Sequence, residues 1–336
     1  MNLFSVILDD INNFSEDEMK FTEYLYQYPS VRTFFRKLRL TFQFKYPSRI
    51  ARISLFFRTI RVHSIEGYIL NKIRVDRSDK ICVFADKYAT RHYVSKLVGE
   101  QYLTRLFGVY KNSEKLPWEI FPKEFVLKCS HSSGGIVIVS SQASANLDIV
   151  EFDYKNWEKY VIHPCNINHF RIETFFSRML NQNYAQYTDY FEFAYSQIEP
   201  VVIVEELLKD ENGDLPKDFK YWCFHGRVVL IQIDTDRYIN HVRDFYDRDW
   251  NLLNVQASYP NSSETLERPI RLGEMIDLAE KLSNDSDLLR VDLYDLGDRI
   301  VVGELTNYPG GGVEKFAPRS FSKSLYLLLQ SNKSRK

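Results

Sequence analysis

Cysteine is scarce in this chain: four among 336 residues (Cys82, Cys129, Cys165 and Cys223), none in a CxxC pair. That excludes a zinc ribbon, offers no disulfide framework, and makes a reducing cytoplasmic setting the expectation. An excess of one charge is also missing. Lys and Arg total 44 against 45 Asp and Glu, so net charge points to neither nucleic acid nor an acidic partner. Neither GxxxxGK(S/T) nor GxGxxG occurs, so a bound nucleotide would need a phosphate cradle of another kind. No stretch approaches ~20 consecutive apolar residues, which argues against an integral membrane protein. The opening MNLFSVILDDINNFSEDEM lacks the basic flank and long apolar core of a secretory signal. There is no internal repeat or low-complexity tract.

What is present is a globular composition, 44% hydrophobic and long enough for two or three packed layers. Residues 1–80 read as helices broken at Pro29 and Pro47, a separate N-terminal unit. Between Ser30 and His63 this unit carries Arg32, Arg36, Lys37, Arg39, Lys45, Arg49, Arg52, Arg58 and Arg61 with no acid, interleaved with phenylalanines. Such a segment suits a helical surface with solvated arginines, an anionic membrane face at the inner membrane, or a polyanionic glycan. From Asp86, DKYATRHYVSKLVGEQYL is amphipathic at helical spacing with Tyr93, Leu97 and Val98 on one side. Strands are expected at 125–129, 136–140 and 201–208, and 153–197 is polar and poorly periodic, with weak helical character at 171–180. A hairpin turns at His225 and Gly226, a helix carries Leu272, Met275, Ala279 and Leu282, and two last strands span 288–294 and 300–305. The expected division is 1–80, 81–205 with a Gly-rich loop, and 206–330.

Two phrases carry the chemistry. In FVLKCSHSSGG, Lys128 interrupts an apolar strand, where an unpartnered ammonium would be costly, and leads into Ser130, His131, Ser132, Ser133, Gly134 and Gly135. That loop offers closely spaced amides and small side chains to phosphate oxygens, although any hairpin turn uses the same residues. In RVDLYDLGDRIVVGELTNYPGGG, Asp292 and Glu304 sit on consecutive, otherwise apolar strands. Two facing buried acids repel unless a cation or proton lies between them, which suits Mg2+. Arg237, His241 and Arg243 cluster in sequence and suit either a carboxylate-binding site or a polar loop. Tyr246 and Trp250 suit either stacking on a sugar or packing of their own loop, and Cys129 and Cys223 read as buried strand residues.

The phrases DKYATRHYV, FVLKCSHSSGG, VEELL, DFKYWCFHGRVVLIQIDTDR, DFYDRDWNLL and RVDLYDLGDRIVVGELTNYPGGG, running from Asp86 to Gly312, resemble the ATP-grasp enzymes and, within them, the TupA-like branch linked to cell-surface polysaccharide and teichuronopeptide synthesis. The resemblance implies an α+β ATP-grasp fold, with a lid subdomain and a mixed core sheet behind an N-terminal helical unit. It implies ATP and Mg2+ as cofactors, Lys87 and Lys128 on the phosphates, and Glu205, Glu206 and Leu207 along adenine and ribose. Lys220 is implied at the terminal phosphate, and Arg290 as a stabiliser of charge in acyl-phosphate chemistry. The metal ligands implied are Asp292 and Glu304, with Thr306 standing where the family usually has Asn and Asn307 one residue beyond. Strand alternation makes Thr306 the neighbour of Glu304 and turns Asn307 away unless the strand bulges. The implied reaction is an ATP-dependent ligation of an amine or amino acid to a uronic acid of a capsular polysaccharide or its precursor. A glycosyltransferase- or kinase-like transferase and a non-catalytic glycan-binding assembly protein are the alternatives; no nucleic acid is involved.

Overall fold

The computed structural model describes residues 62–113, 116–145, 151–153, 157–188, 190–235 and 241–332. Two five-stranded sheets organise them. The first contains β1 (Leu106–Tyr110), β2 (Phe125–Cys129), β3 (Ile136–Val139), β4 (Lys159–Ile162) and β5 (Val202–Glu205) in the order β1-β5-β2-β3-β4. All its pairings are antiparallel except β3 with β4. The second contains β6 (Asp218–Phe224), β7 (Arg227–Thr235), β8 (Val242–Tyr246), β10 (Leu288–Asp295) and β11 (Ile300–Thr306), ordered β11-β10-β6-β7-β8 and antiparallel throughout. The parallel pair of this α+β fold therefore lies in the first sheet, where the lid was expected, and not in the core sheet. β9 (Gln256–Ala257) and β12 (Phe316–Ala317) form a small separate ladder.

Alternation along β2 decides what the first sheet presents on each side. Phe125, Leu127 and Cys129 enter an apolar cluster with Phe175, Phe176 and Met179. Those three belong to a helix over His169–Leu180, whose first turn is capped by the Asn168 side chain accepting from Arg171 N at 3.1 Å. Val126 and Lys128 face the other way. The helix and β4 both fall in the stretch that reads as poorly periodic, because its aromatic residues face the sheet from short elements separated by 3-10 turns.

The described helices are α1 (Ile65–Val75), α2 (Asp79–Ala85), α3 (Lys87–Val98), α4 (His169–Leu180), α5 (Leu272–Ser283) and α6 (Arg319–Asn332). α5 lays Leu272, Met275, Ala279 and Leu282 against Tyr221, Cys223, Val291 and Leu293 on one face of the second sheet. The other face receives Ile65, Ile69 and Ile73 of α1 and Leu325 and Leu329 of α6 around Trp222, Phe224 and Phe245. Residues 1–61 of the expected N-terminal unit, and with them nearly all of its basic segment, lie outside the described residues. Its remaining helix, α1, is part of the core. α3 departs from the expected stripe: Thr90 and Val94 are buried, Tyr93 and Val98 flank them, and Leu97 is 49% exposed. No helix among the described residues is long and apolar enough to cross a membrane.

One irregularity in β11 positions the chemistry. Asp292 pairs with Glu304 but Leu293 pairs with Val302, so Gly303 is an extra residue, a β-bulge. Val302 and Leu305 consequently both reach the α5 face, while Glu304 and Thr306 come level with Asp292 and Arg290 on the opposite face. A side chain at 303 would meet the Tyr294 ring at 2.6 Å, so a larger residue at the bulge would have to displace that ring.

These packing assignments make a direct test. Leu282→Ala, at a fully buried α5 site, should lower the unfolding free energy by about 2–5 kcal/mol. Leu97→Ala should stay within about 0.5 kcal/mol of the parent in the same urea titration.

Candidate active site between the two sheets

The register of β6, β7, β8, β10 and β11 sets a row of polar side chains on the face away from α5. Arg290 grips Asp292 with two parallel hydrogen bonds, Nε to Oδ1 at 2.7 Å and Nη2 to Oδ2 at 2.8 Å, and donates through Nη2 to Thr306 Oγ1 at 3.1 Å. It also lies 3.8 Å from Glu304. Lys220, 4% exposed, donates to Asp218, reaches Asp292 at 3.2 Å and lies 3.7 Å from Asp234. Burial by itself would raise the Asp292 carboxyl; the charges of Arg290 and Lys220 overcome that and hold it below the usual carboxylate range. Conversely, burial would lower Arg290, and Asp292 and Glu304 raise it further above its ordinary value.

The β11 edge faces the first sheet across a cleft of about 200 Å³, lined by Val126, Lys128, Ile136 and Lys159 on one side and Val302 to Leu305 on the other. Lys87 opens α3, where its backbone N–H donates to Ser130 O at 3.0 Å. Its ammonium donates to Ser132 O and lies 3.5 Å from Glu304, bridging the Gly-rich loop and the β11 edge. Lys128 is paired with Glu205, which also accepts from Thr104 Oγ1 at 2.8 Å and lies 3.5 Å from Arg91. Burial works to raise the Glu205 carboxyl, but Lys128, Thr104 and Arg91 outweigh it and hold it below its ordinary value. Glu206 and Leu207 also line this cleft.

Lys128 and Lys87 thus meet two acids in a cleft between sheets, beside a Gly-rich loop and a second lysine-bearing sheet. The sequence from 68 to 328 matches the family model described as TupA-like ATPgrasp. The chain belongs to the ATP-grasp superfamily. Among solved structures it is similar to the ATP-grasp ligase PsnB complexed with minimal precursor, at 11% identity and TM-score 0.36 over 75% of this chain and 62% of that one. It is also similar to a D-alanine–D-alanine ligase from Bacillus anthracis, at 17% identity and TM-score 0.36 over 68% of this chain and 58% of that one. The chain therefore spans less than two thirds of the length of either structure. No match was found among curated proteins.

The ATP-grasp reading meets several departures in detail. Ser130 is fully buried and its hydroxyl accepts from Val201 N at 3.1 Å, while Ser132 Oγ donates to Gly134 O at 2.7 Å. Both hydroxyls shape the loop from within, leaving Ser133 exposed. A side chain at Gly134 would come 2.0 Å from the Trp157 carbonyl, so close packing of backbone on backbone requires that glycine, whereas Gly135 has the positive φ of 67°. His131 is buried, with Nε2 at 3.1 Å from Gln182 O. Glu205 is committed to Lys128 rather than open to a ribose, whereas Glu206 accepts from Arg105 N at 2.6 Å and Arg299 Nη2 at 2.8 Å. Asn307 turns its amide to Ile81 O at 2.8 Å, which leaves Thr306, not Asn307, beside Glu304. Arg237 lies outside the described residues. Arg243 is spent on Asp234, at 2.5 Å, and on Glu314, and His241 lies 3.4 Å from Asp234, so these two form an internal charge cluster rather than an open carboxylate site. Trp250 stacks on Tyr246 with centroids 4.4 Å apart, packing the loop. Cys129 and Cys223 are buried free thiols.

Three oxygen-bearing side chains of the kind Mg2+ takes lie near one another here, although both Asp292 oxygens already accept from Arg290 and Lys220. Asp292 and Glu304 are register partners, Thr306 adds a hydroxyl, and all are hard oxygens. Among the described residues no group of three His, Cys, Asp or Glu that could hold a metal ion occurs. Sequence reading missed Lys159, Arg91 and Thr104. Lys159 comes in through the pairing of β4 with β3, while Arg91 stands on α3 and Thr104 just before β1, and the fold rather than their local sequence brings both to Glu205.

Glu205→Gln should expose this charge balance. Loss of a buried partner to Lys128 should cost about 3–5 kcal/mol. Because the folded carboxyl is depressed, the parent's advantage should be full above about pH 4.3 and shrink as pH falls through the folded value, measured as urea midpoints from pH 7 to 3. Equal pH profiles for parent and variant would disprove the coupling.

Proposed function

We propose that the protein is an ATP-dependent carboxylate–amine ligase that joins an amine or amino acid to a uronic acid of a cell-surface polysaccharide or its precursor, on the cytoplasmic side of the membrane. The observation that carries this reading is the position of Glu304: it lines the nucleotide cleft and also a second, 480 Å³ chamber that contains Arg290 and Thr306. A phosphate group and an acceptor can then meet at one carboxylate-flanked junction. The acceptor's uronic acid identity follows from the family resemblance.

In this reading Lys87 and Lys128 bind the phosphate chain, and the Ser133–Gly135 backbone covers it. Glu206 and Leu207 run along the adenosine. Mg2+, when bound at Asp292 and Glu304 with Thr306 nearby, supplies neutralisation of phosphate charge. One oxygen of the acceptor carboxylate attacks the γ-phosphorus, the bond to the bridging oxygen breaks, and ADP leaves. The amine nitrogen then adds to the acyl carbon, its proton is lost, and inorganic phosphate departs with the former carboxylate oxygen. Arg290 donates to oxygens on which charge builds, held in place by its fork with Asp292, and Lys220 holds that fork from behind. No side-chain nucleophile is needed, in keeping with the two buried, raised thiols, each pushed up by burial to about 12. The boundaries 81–205 and 206–330 serve as working divisions between a lid part and a core part.

ADP release measured with Mg2+ across uronic acids paired with amino acids tests the proposal. Turnover should require both substrates and fall at least about 100-fold in Asp292→Asn, with ATP binding retained. Turnover with either substrate alone, or an Asp292→Asn enzyme of normal rate, would refute it.

A further inference from the structure

The basic segment that ends at His63 has no place in the ligase reading, and the described part of the chain shows where it leads. His63 enters a groove of about 340 Å³ between the start of α1 and the start of α6, where it meets Lys315, Arg319 and Lys323 from the other end of the chain. All four side chains are exposed, and none has an ion pair or hydrogen bond among the described residues. The acid in the groove wall is Glu66, which accepts from Ser322 Oγ. Three permanent cations therefore share the groove with one carboxylate. Local structure does not account for them. Arg319 and Lys323 stand four residues apart near the start of α6, where like charges repel and a cation opposes the helix dipole, and the first turn of α6 holds no acid to offset them. Uncompensated charge gathered from residues 63 and 315–323 into one concavity is the footprint of an anionic ligand.

The groove adjoins the second chamber. The turn at residues 309–313 runs between them: Gly310 and Gly311 line the chamber, Gly312 lines the groove, and Val313, 37% exposed, lines both. Arg290 and Thr306 stand in that same chamber, so a chain of sugars with one uronate at Arg290 can pass Val313 and reach the lysines. We infer that the acceptor is an acidic oligosaccharide rather than a single sugar, with one uronate at Arg290 and further carboxylates of the same chain against Lys315, Arg319 and Lys323. A free uronate still reaches Arg290 but forgoes these contacts. A concave groove beside a chamber suits a flexible chain better than a flat bilayer, which could not follow it inward. The assignment rests on the ligase reading for the glycan's role as acceptor, and on the groove for its charge and length.

Calorimetric titration of the full chain at low and at high salt tests this, with a hexauronate, free glucuronate, a neutral glucose hexasaccharide and phosphatidylglycerol vesicles as probes. The hexauronate should bind about tenfold more tightly than glucuronate, because three exposed charge pairs are each modest and act together, and high salt should erase that advantage. It should also bind more tightly than the neutral chain and the vesicles. Lys315→Gln, Arg319→Gln and Lys323→Gln combined should remove the advantage, while the affinities for glucuronate and for a non-hydrolysable ATP analogue, and the unfolding midpoint, stay at parent values. The same change at three exposed cations elsewhere, Lys96, Lys123 and Arg268, should leave the hexauronate affinity as it is. A hexauronate that binds no more tightly than glucuronate or not at all, an equal loss in the two triple variants, or a preference for the neutral chain or the vesicles would overturn the assignment. Groove-dependent hexauronate binding that supports no ADP release with any amine would instead remove the ligase reading and leave the groove as a glycan-binding site.

Discussion

The fork between Arg290 and Asp292 is the contact around which the rest of the molecule is arranged. A guanidinium and a carboxylate at the centre of a covered sheet lose their water, and only a close, doubly hydrogen-bonded geometry offsets that loss. The second sheet meets the requirement by placing the two residues on one strand, two positions apart, so that both point to the same side. Lys220 on the neighbouring strand then balances the surplus of Asp218, Asp234 and Asp292. Among the described residues Glu205 is matched likewise by Lys128 and Arg91, and the apolar clusters of α1, α5 and α6 pack on the two faces of the sheet.

That balance shapes what the site can accept. Lys87 leans on Glu304 and Lys128 on Glu205, so on the proposed ligase reading a phosphate chain entering the cleft would exchange one set of partners for another instead of neutralising bare cations. A divalent cation arriving with the phosphates would offset part of their charge and face the carboxylates that the lysines release, which would favour the two ligands together over either one alone. The same reasoning explains why a strand lysine such as Lys128 is tolerated in a sheet whose opposite face is packed with phenylalanine.

Much of this was legible in the chain because local rules and global structure agree. The hairpin at His225 and Gly226, the α5 stripe and the final strand pair all follow from period and turn chemistry. The stretch from 153 to 197 was not legible, since β4 is only four residues long and α4 hides its buried stripe among surface aromatics such as the 76% exposed Phe170. At the site, residue types were readable but their partners were not. Lys128 announced its need for an anion, yet Glu205 sits 77 positions away, and only the pairing of β2 with β5 brings them together. Arg243 looked available because nothing in sequence reveals Glu314 beside it.

The bulge at Gly303 gives the site a dependence on counting. A strand is read in twos, and the extra residue inverts the reading for everything after it. Flattening the bulge at unchanged length would send Glu304 and Thr306 into the layer beneath α5 and lift Leu305 onto the charged floor, whereas removal of Gly303 itself would leave a regular ladder in which Glu304 still pairs with Asp292. A change of length within the turn at residues 296–299 alters the loop and leaves the faces as they are. The hairpin tip can therefore drift in length, while the strand depends on whatever keeps Glu304 level with Asp292.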